Sequence, residues 1–133
     1  MGPARPAVTY LLDTNAIIYH LHGAAELDAV FSEISKGLVE PAASIVTQIE
    51  LLGFPQISRH EETAINALLR NFTILDVDQA VAERAVSLRR KYGLKLPDAI
   101  VSATALVLDA ILISRDEDLK RVRGLKLLNP FAS

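Results

Sequence analysis

Five short apolar runs are spaced along this chain, and longer segments of helical character separate most of them. The runs are Val8–Leu12, Ala42–Val46, Phe72–Leu75, Ala110–Ile113 and Leu125–Leu128. Each has the length of a buried strand. Helical patterning fills Asn15–Leu21, Glu26–Ser35, the stretch from about Thr47 to Gly53 and Pro55, and Glu61–Phe72. In the last of these, Ile65, Leu68, Leu69 and Phe72 fall on one face. Gly37 ends the second helix as a C-cap. Asp78–Tyr92 places Val81, Ala85, Leu88 and Tyr92 on one face, and Gly93 closes it. Pro97 opens a further helix to about Leu108 that is apolar nearly all round and therefore buried. A charged turn or short helix runs through Val122 before the final run.

Strands that alternate with helices give a parallel sheet covered on both faces. The expected architecture is α/β: a three-layer α/β/α sandwich around a mainly parallel four- to five-stranded sheet. At 133 residues it is one domain, residues 1–133, with 1–7 as a poorly ordered N-terminal extension.

In such a sheet, ligands bind outside the carboxyl ends of the strands, near the switch point. Four acids stand at or near those boundaries. Asp13 and Asp116 follow predicted strands, and Glu50 and Asp98 occupy first turns of predicted helices. All four lie beside apolar runs, where an unpaired carboxylate costs several kcal/mol or more. In the segments around the acids, Tyr10–Asn15, Thr47–Leu52, Leu96–Ile100 and Leu112–Asp116, only Arg115 offers a positive charge. Four carboxylates in one pocket repel one another unless a cation joins them. Hard oxygen donors suit Mg²⁺ or Mn²⁺, and such a site suits phosphodiester hydrolysis by an activated water.

Each acid also has a plain structural reading. Asp13 fits an N-cap, Asp98 a complement to a helix dipole, and Asp116 and Asp118 solvated turn acids. Thr47-x-x-Glu50 matches a capping box, with Glu50 reaching back to a backbone N–H. Thr14, Asn15, Thr47 and Ser114 neighbour the acids, either orienting a carboxylate or serving as turn and cap residues. His20, His22 and His60 have no shared face and read as surface or packing residues. No Gly-rich phosphate loop is present.

Charge is divided unevenly. From Ala82 to Lys126 there are ten Lys and Arg against six Asp and Glu, and the remainder has four against ten. A basic C-terminal third beside an acidic cluster suits a polyanion approaching a metal, although an ordinary solvated surface has the same look. The chain has no cysteine, which excludes disulfides and thiolate chemistry and fits a cytoplasmic protein. Its mean hydropathy of +0.27 is high, yet no apolar stretch reaches the ~20 residues a bilayer span needs. Met1–Thr9 lacks the apolar core of a signal peptide.

Four motifs together resemble those of PIN-domain ribonucleases, and among them VapC-type toxins of toxin–antitoxin pairs. They are Leu11-Leu12-Asp13-Thr14-Asn15-Ala16-Ile17-Ile18, Ser44-x-x-Thr47-x-x-Glu50-Leu51, Leu94-Lys95-Leu96-Pro97-Asp98-Ala99-Ile100-Val101-Ser102-Ala103-Thr104-Ala105, and Leu112-Ile113-Ser114-Arg115-Asp116-Glu117-Asp118-Leu119. The likeness runs from Tyr10 to about Phe131, and the ending Asn129-Pro130-Phe131 shares it. It implies a PIN-like fold, Mg²⁺- or Mn²⁺-dependent endonucleolytic cleavage of RNA, a homodimer, and inhibition by a small antitoxin. Carried over by position, Asp13, Glu50 and Asp98 would be core metal ligands and Asp116 the fourth acid, with Asp118 the other candidate. Thr14, Asn15, Thr47 and Ser114 would support them. Arg89, Arg90, Lys95 and Arg115 would contact RNA. Ser114 replaces the family's usual Thr and keeps its hydroxyl, and Leu119 stands where Phe is common.

Other classes fit less well. A topoisomerase–primase-type site wants its Glu after the first strand, where this chain has Asp13. A haloacid-dehalogenase-type phosphatase wants a second carboxylate at Asn15. The non-enzymatic alternative is a PIN-like scaffold that binds RNA or protein without cutting, and the presence of all four acids argues against it.

Overall fold

The computed structural model describes residues 6–132. Five strands form one sheet: β1 (Thr9–Leu12), β2 (Glu40–Ser44), β3 (Thr73–Leu75), β4 (Ile111–Ile113) and β5 (Lys126–Leu128). The order is β3-β2-β1-β4-β5, and every pairing is parallel. Six helices connect them: α1 (Thr14–Leu21), α2 (Asp28–Ser35), α3 (Ile45–Leu52), α4 (Arg59–Leu69), α5 (Gln79–Tyr92) and α6 (Leu96–Leu108). The expected α/β/α sandwich is present. Of the expected N-terminal extension, residues 1–5 lie outside the described range, and Pro6 and Ala7 belong to no helix or strand.

β1 shows how the layers form. Successive strand residues point to opposite faces. Leu11 packs with Val81, Ala85 and Leu88 of α5 and Ala99, Val101 and Ala103 of α6. Tyr10 and Leu12 pack with Ile17 of α1, Val30 of α2, Leu51 of α3 and Ile65 of α4. Leu11, Leu12, Leu112 and Ile113 are fully buried, each stabilising the fold by roughly 1.5–3 kcal/mol.

β2, α2, α3 and α4 depart from expectation by two residues or more. β2 spans Glu40–Ser44 rather than Ala42–Val46. The Ser44 hydroxyl accepts the Val46 N–H at 3.1 Å, so β-branched Ile45 and Val46 enter the first turn of α3. Pro41 is tolerated because β2–β3 pairing begins only at Ala42–Thr73. The second helix is split: a 3-10 turn at Ala25–Leu27 precedes α2. α4 starts at Arg59, two residues early, because Ser58 and Glu61 form a reciprocal capping box, and it stops at Leu69. Gly93, with φ +66°, closes α5 in the left-handed region as expected. Among the described residues, no helix is long and apolar enough to cross a membrane.

Candidate metal centre

The chain runs outward from β1 in both directions, through β2 to β3 and through β4 to β5, so the switch point lies between β1 and β4. Asp13 leaves the end of β1 there. Its backbone N–H donates to the Ile113 carbonyl at 3.2 Å, carrying strand pairing one step past β1. Its Oδ1 accepts the Ala16 N–H at 2.8 Å, which makes it the N-cap of α1. That bond engages one carboxylate oxygen.

Glu50 comes from the neighbouring strand–helix unit, on α3. The capping-box alternative for it fails: Ser44, not Thr47, caps α3, and Thr47 is fully buried. Glu50 instead accepts a hydrogen bond from the Thr14 hydroxyl at 2.6 Å, and Thr14 Oγ1 lies 3.4 Å from Thr47 Oγ1. Thr14 thus links the start of α1 to α3. Asp98 sits half-buried in the first turn of α6. Asp13, Thr14, Asn15, Glu50, Pro97 and Asp98 line one small cleft.

Asp116 follows β4. The Ser114 hydroxyl accepts its N–H at 3.1 Å, and Asp116 Oδ1 accepts the Asp118 N–H at 3.0 Å, capping the 3-10 turn Glu117–Arg121. Asp118 is already engaged: Arg121 Nε and Nη2 donate to its two oxygens at 3.0 and 3.1 Å. Of the two candidates for fourth acid, Asp116 keeps the less committed carboxylate.

The electrostatics tie these groups together. Burial pushes the Asp13 carboxyl above its usual range; Asp98 and Asp116 add to this, while the Ser114 hydroxyl and the Ala16 N–H oppose it. Burial also raises Asp98, with further contributions from Asp116, Glu50 and Asp118 and opposition from Lys95. Among the described residues, ion pairs engage Glu117, Asp118 and Asp109 but none of these four acids. No three Asp, Glu or His side chains among the described residues stand at metal-ligand spacing. All-oxygen donors and mutual repulsion fit a hard divalent ion, with Asp13 and Asp98 half-buried and Glu50 and Asp116 exposed.

The basic residues divide. Arg89 and Arg90 lie exposed in the last turn of α5, and Lys95 is the exposed residue that precedes α6. Arg115 is held on aromatic rings, its guanidinium 4.3 Å from the centre of Phe131 and 5.3 Å from that of Tyr19. Two further polar residues make cross-fold contacts. Asn129 donates to the Arg115 carbonyl and to Glu117, and Arg121 donates to the Tyr92 carbonyl. These contacts join segments far apart in sequence, and no local pattern announces them. His20 stacks on Phe31 at 3.4 Å, a packing histidine.

Comparison with known proteins adds three findings. The family described as PIN domain matches residues 10–125. A chain of a toxin–antitoxin complex from Klebsiella pneumoniae is 33% identical, with a TM-score of 0.77 over 92% of this chain and 98% of that one. Two more distant structures share the fold over 92% of this chain and 98% of theirs. They are VapBC2 from Rickettsia felis bound to a promoter DNA fragment (18% identity, TM-score 0.78) and VapBC-1 from nontypeable Haemophilus influenzae (24%, 0.76).

Proposed function

The chain belongs to the PIN domain family, and from that membership we propose that it is a VapC-like toxin acting as a metal-dependent endoribonuclease. The observation that carries the reading is the meeting of Asp13, Glu50 and Asp98 on one cleft at the switch point, with Asp116 close enough to raise the pKa of both aspartates. Asp13, Glu50, Asp98 and Asp116 would hold Mg²⁺ or Mn²⁺. The chemistry such an ion supplies when bound is activation of water and stabilisation of charge on the phosphate.

The chain's own residues do the rest. Thr14 orients Glu50 through its 2.6 Å hydrogen bond. Thr47, buried beneath it, limits where Thr14 can turn. Ser114 accepts the Asp116 backbone N–H and opposes the burial that raises Asp13. Asn15, exposed at the cleft, faces the incoming phosphate. Arg89, Arg90 and Lys95 supply positive charge for the RNA backbone, Lys95 also lowering the pKa of Asp98. Arg115 contributes from its aromatic seat.

The proposal includes a small cognate antitoxin, a homodimer and a cytoplasmic location. An apolar groove lined by Ile18, Leu21, Leu51, Phe54 and Ile65 adjoins the acids through Glu50, and it supports the antitoxin. Isothermal titration of Mn²⁺ into the purified protein tests the metal reading. The expected result is saturable binding in the wild type that is lost in Asp98→Asn; no binding by the wild type would favour the non-cutting scaffold.

A further inference from the structure

Arg121 lies outside the acid cluster, yet it connects the two segments that deliver Asp98 and Asp116. Its Nη2 donates to the carbonyl of Tyr92, the last residue of α5, at 2.7 Å. Its Nε and Nη2 reach the two oxygens of Asp118. The guanidinium also stands 5.6 Å from the centre of the Tyr92 ring. A second bond runs the same way: the Tyr92 hydroxyl accepts the Arg123 N–H at 3.0 Å. After Tyr92 only the short junction Gly93–Lys95 precedes α6, whose first turn carries Asp98. Asp118 in turn is bonded through its N–H to Asp116.

We propose that Arg121, with Tyr92 as its receiver, is a positioning residue that fixes the spacing between Asp98 and Asp116. The inference rests on the metal-site reading above. A rigid planar guanidinium fork holds a carbonyl and both carboxylate oxygens in one fixed geometry, whereas a lysine ammonium is a point charge on a flexible stem. The Arg121 and Asp118 side chains are 44% and 64% exposed. Such a pair adds little to overall stability, so variants at Arg121 fold. In this account Asp118 is an anchor for Arg121 rather than a ligand.

The test is Mn²⁺ titration by calorimetry, without RNA, into wild type, Arg121→Met, Arg121→Lys and Tyr92→Phe. Charge and geometry predict opposite signs. Removing a positive charge alone would tighten cation binding in Arg121→Met, whereas losing the clasp weakens it. The expected result is weaker binding in Arg121→Met and Arg121→Lys, by about tenfold as for other groups that orient ligands, with a smaller loss in the charge-neutral Tyr92→Phe. That variant keeps the carbonyl that receives Arg121 and loses only the hydroxyl that holds the Arg123 N–H. Salt dependence of RNA binding should keep its wild-type slope. Unchanged or tighter Mn²⁺ binding in Arg121→Lys overturns the proposal, as does a salt slope smaller by about one in Arg121→Met, which marks a phosphate contact. Absence of Mn²⁺ binding in the wild type would instead overturn the metal-site reading itself.

Discussion

The Thr14 hydroxyl donates to Glu50 Oε1 across 2.6 Å, joining the residue after the β1 acid to the acid of α3. This bond makes a sharp prediction. Thr14→Val removes the donor and preserves the shape, so metal affinity should fall by about 10–100-fold, as when an orienting group is lost. Thr14→Ser keeps the donor and should stay near wild type. Calorimetric Mn²⁺ titration of both variants checks it, and equal affinities would remove Thr14 from the site.

Glu50 gives the second prediction. Because Ser44 caps α3, Glu50→Gln should leave the helix intact and weaken metal binding. Ser44→Ala should do the reverse, costing about 1 kcal/mol as a lost N-cap with metal affinity closer to wild type. Denaturant unfolding beside metal titration separates the two; a Glu50→Gln variant that loses only stability would restore the capping reading.

The third concerns pH. Asp13 and Asp98 have folded pKa values raised above the ordinary 3.8. In the metal-free protein the folded state therefore binds more protons than the unfolded state just above that value. Their contribution is fully present below the unfolded pKa and is lost as pH rises through the folded ones. Asp98→Asn removes part of that loss. Metal-free Tm measured between about pH 4 and pH 7 should show the variant gaining on wild type as pH rises. A cation needs the deprotonated carboxylates, so Mn²⁺ affinity should climb over the same window. A constant Tm difference would contradict the raised values.

RNA binding supplies the fourth. Arg89, Arg90 and Lys95 are exposed and engage none of the described ion pairs. Replacing Arg89 and Arg90 together by Gln should weaken binding and reduce the slope of log affinity against log salt by up to about two. An unchanged slope places the RNA on another face.

The fold was legible because its strands are short apolar runs and its helices carry strong faces. Val8–Leu12 and Ala110–Ile113 lie within a residue of β1 and β4. β2 was misplaced because Ile45 and Val46 have strand character, and only the Ser44 cap sends them into a helix. The candidate acids were conspicuous as carboxylates beside apolar runs, but Glu50 lies in the second turn of α3 rather than the expected first, because the Ser44 cap starts that helix at Ile45. Their supports were half legible. Thr14, Thr47 and Ser114 stand next to the acids in sequence, but Arg121, Tyr92 and Asn129 act across the fold, where sequence spacing carries no signal. Sequence alone favours Asp116 over Asp118 as nearer the strand end, and the Arg121 contact with Asp118 supports the same preference.

The most direct measurement is cleavage of a labelled structured-RNA pool by purified protein with Mg²⁺, with Mn²⁺ and with EDTA, beside Asp98→Asn. Asp98 is half-buried and forms no described hydrogen bond or ion pair, so this variant should stay folded, with stability within about 2 kcal/mol of wild type. The account predicts discrete products from the wild type with either metal, none with EDTA, and none from Asp98→Asn under any condition. Products that persist in EDTA, or an active Asp98→Asn, would contradict it.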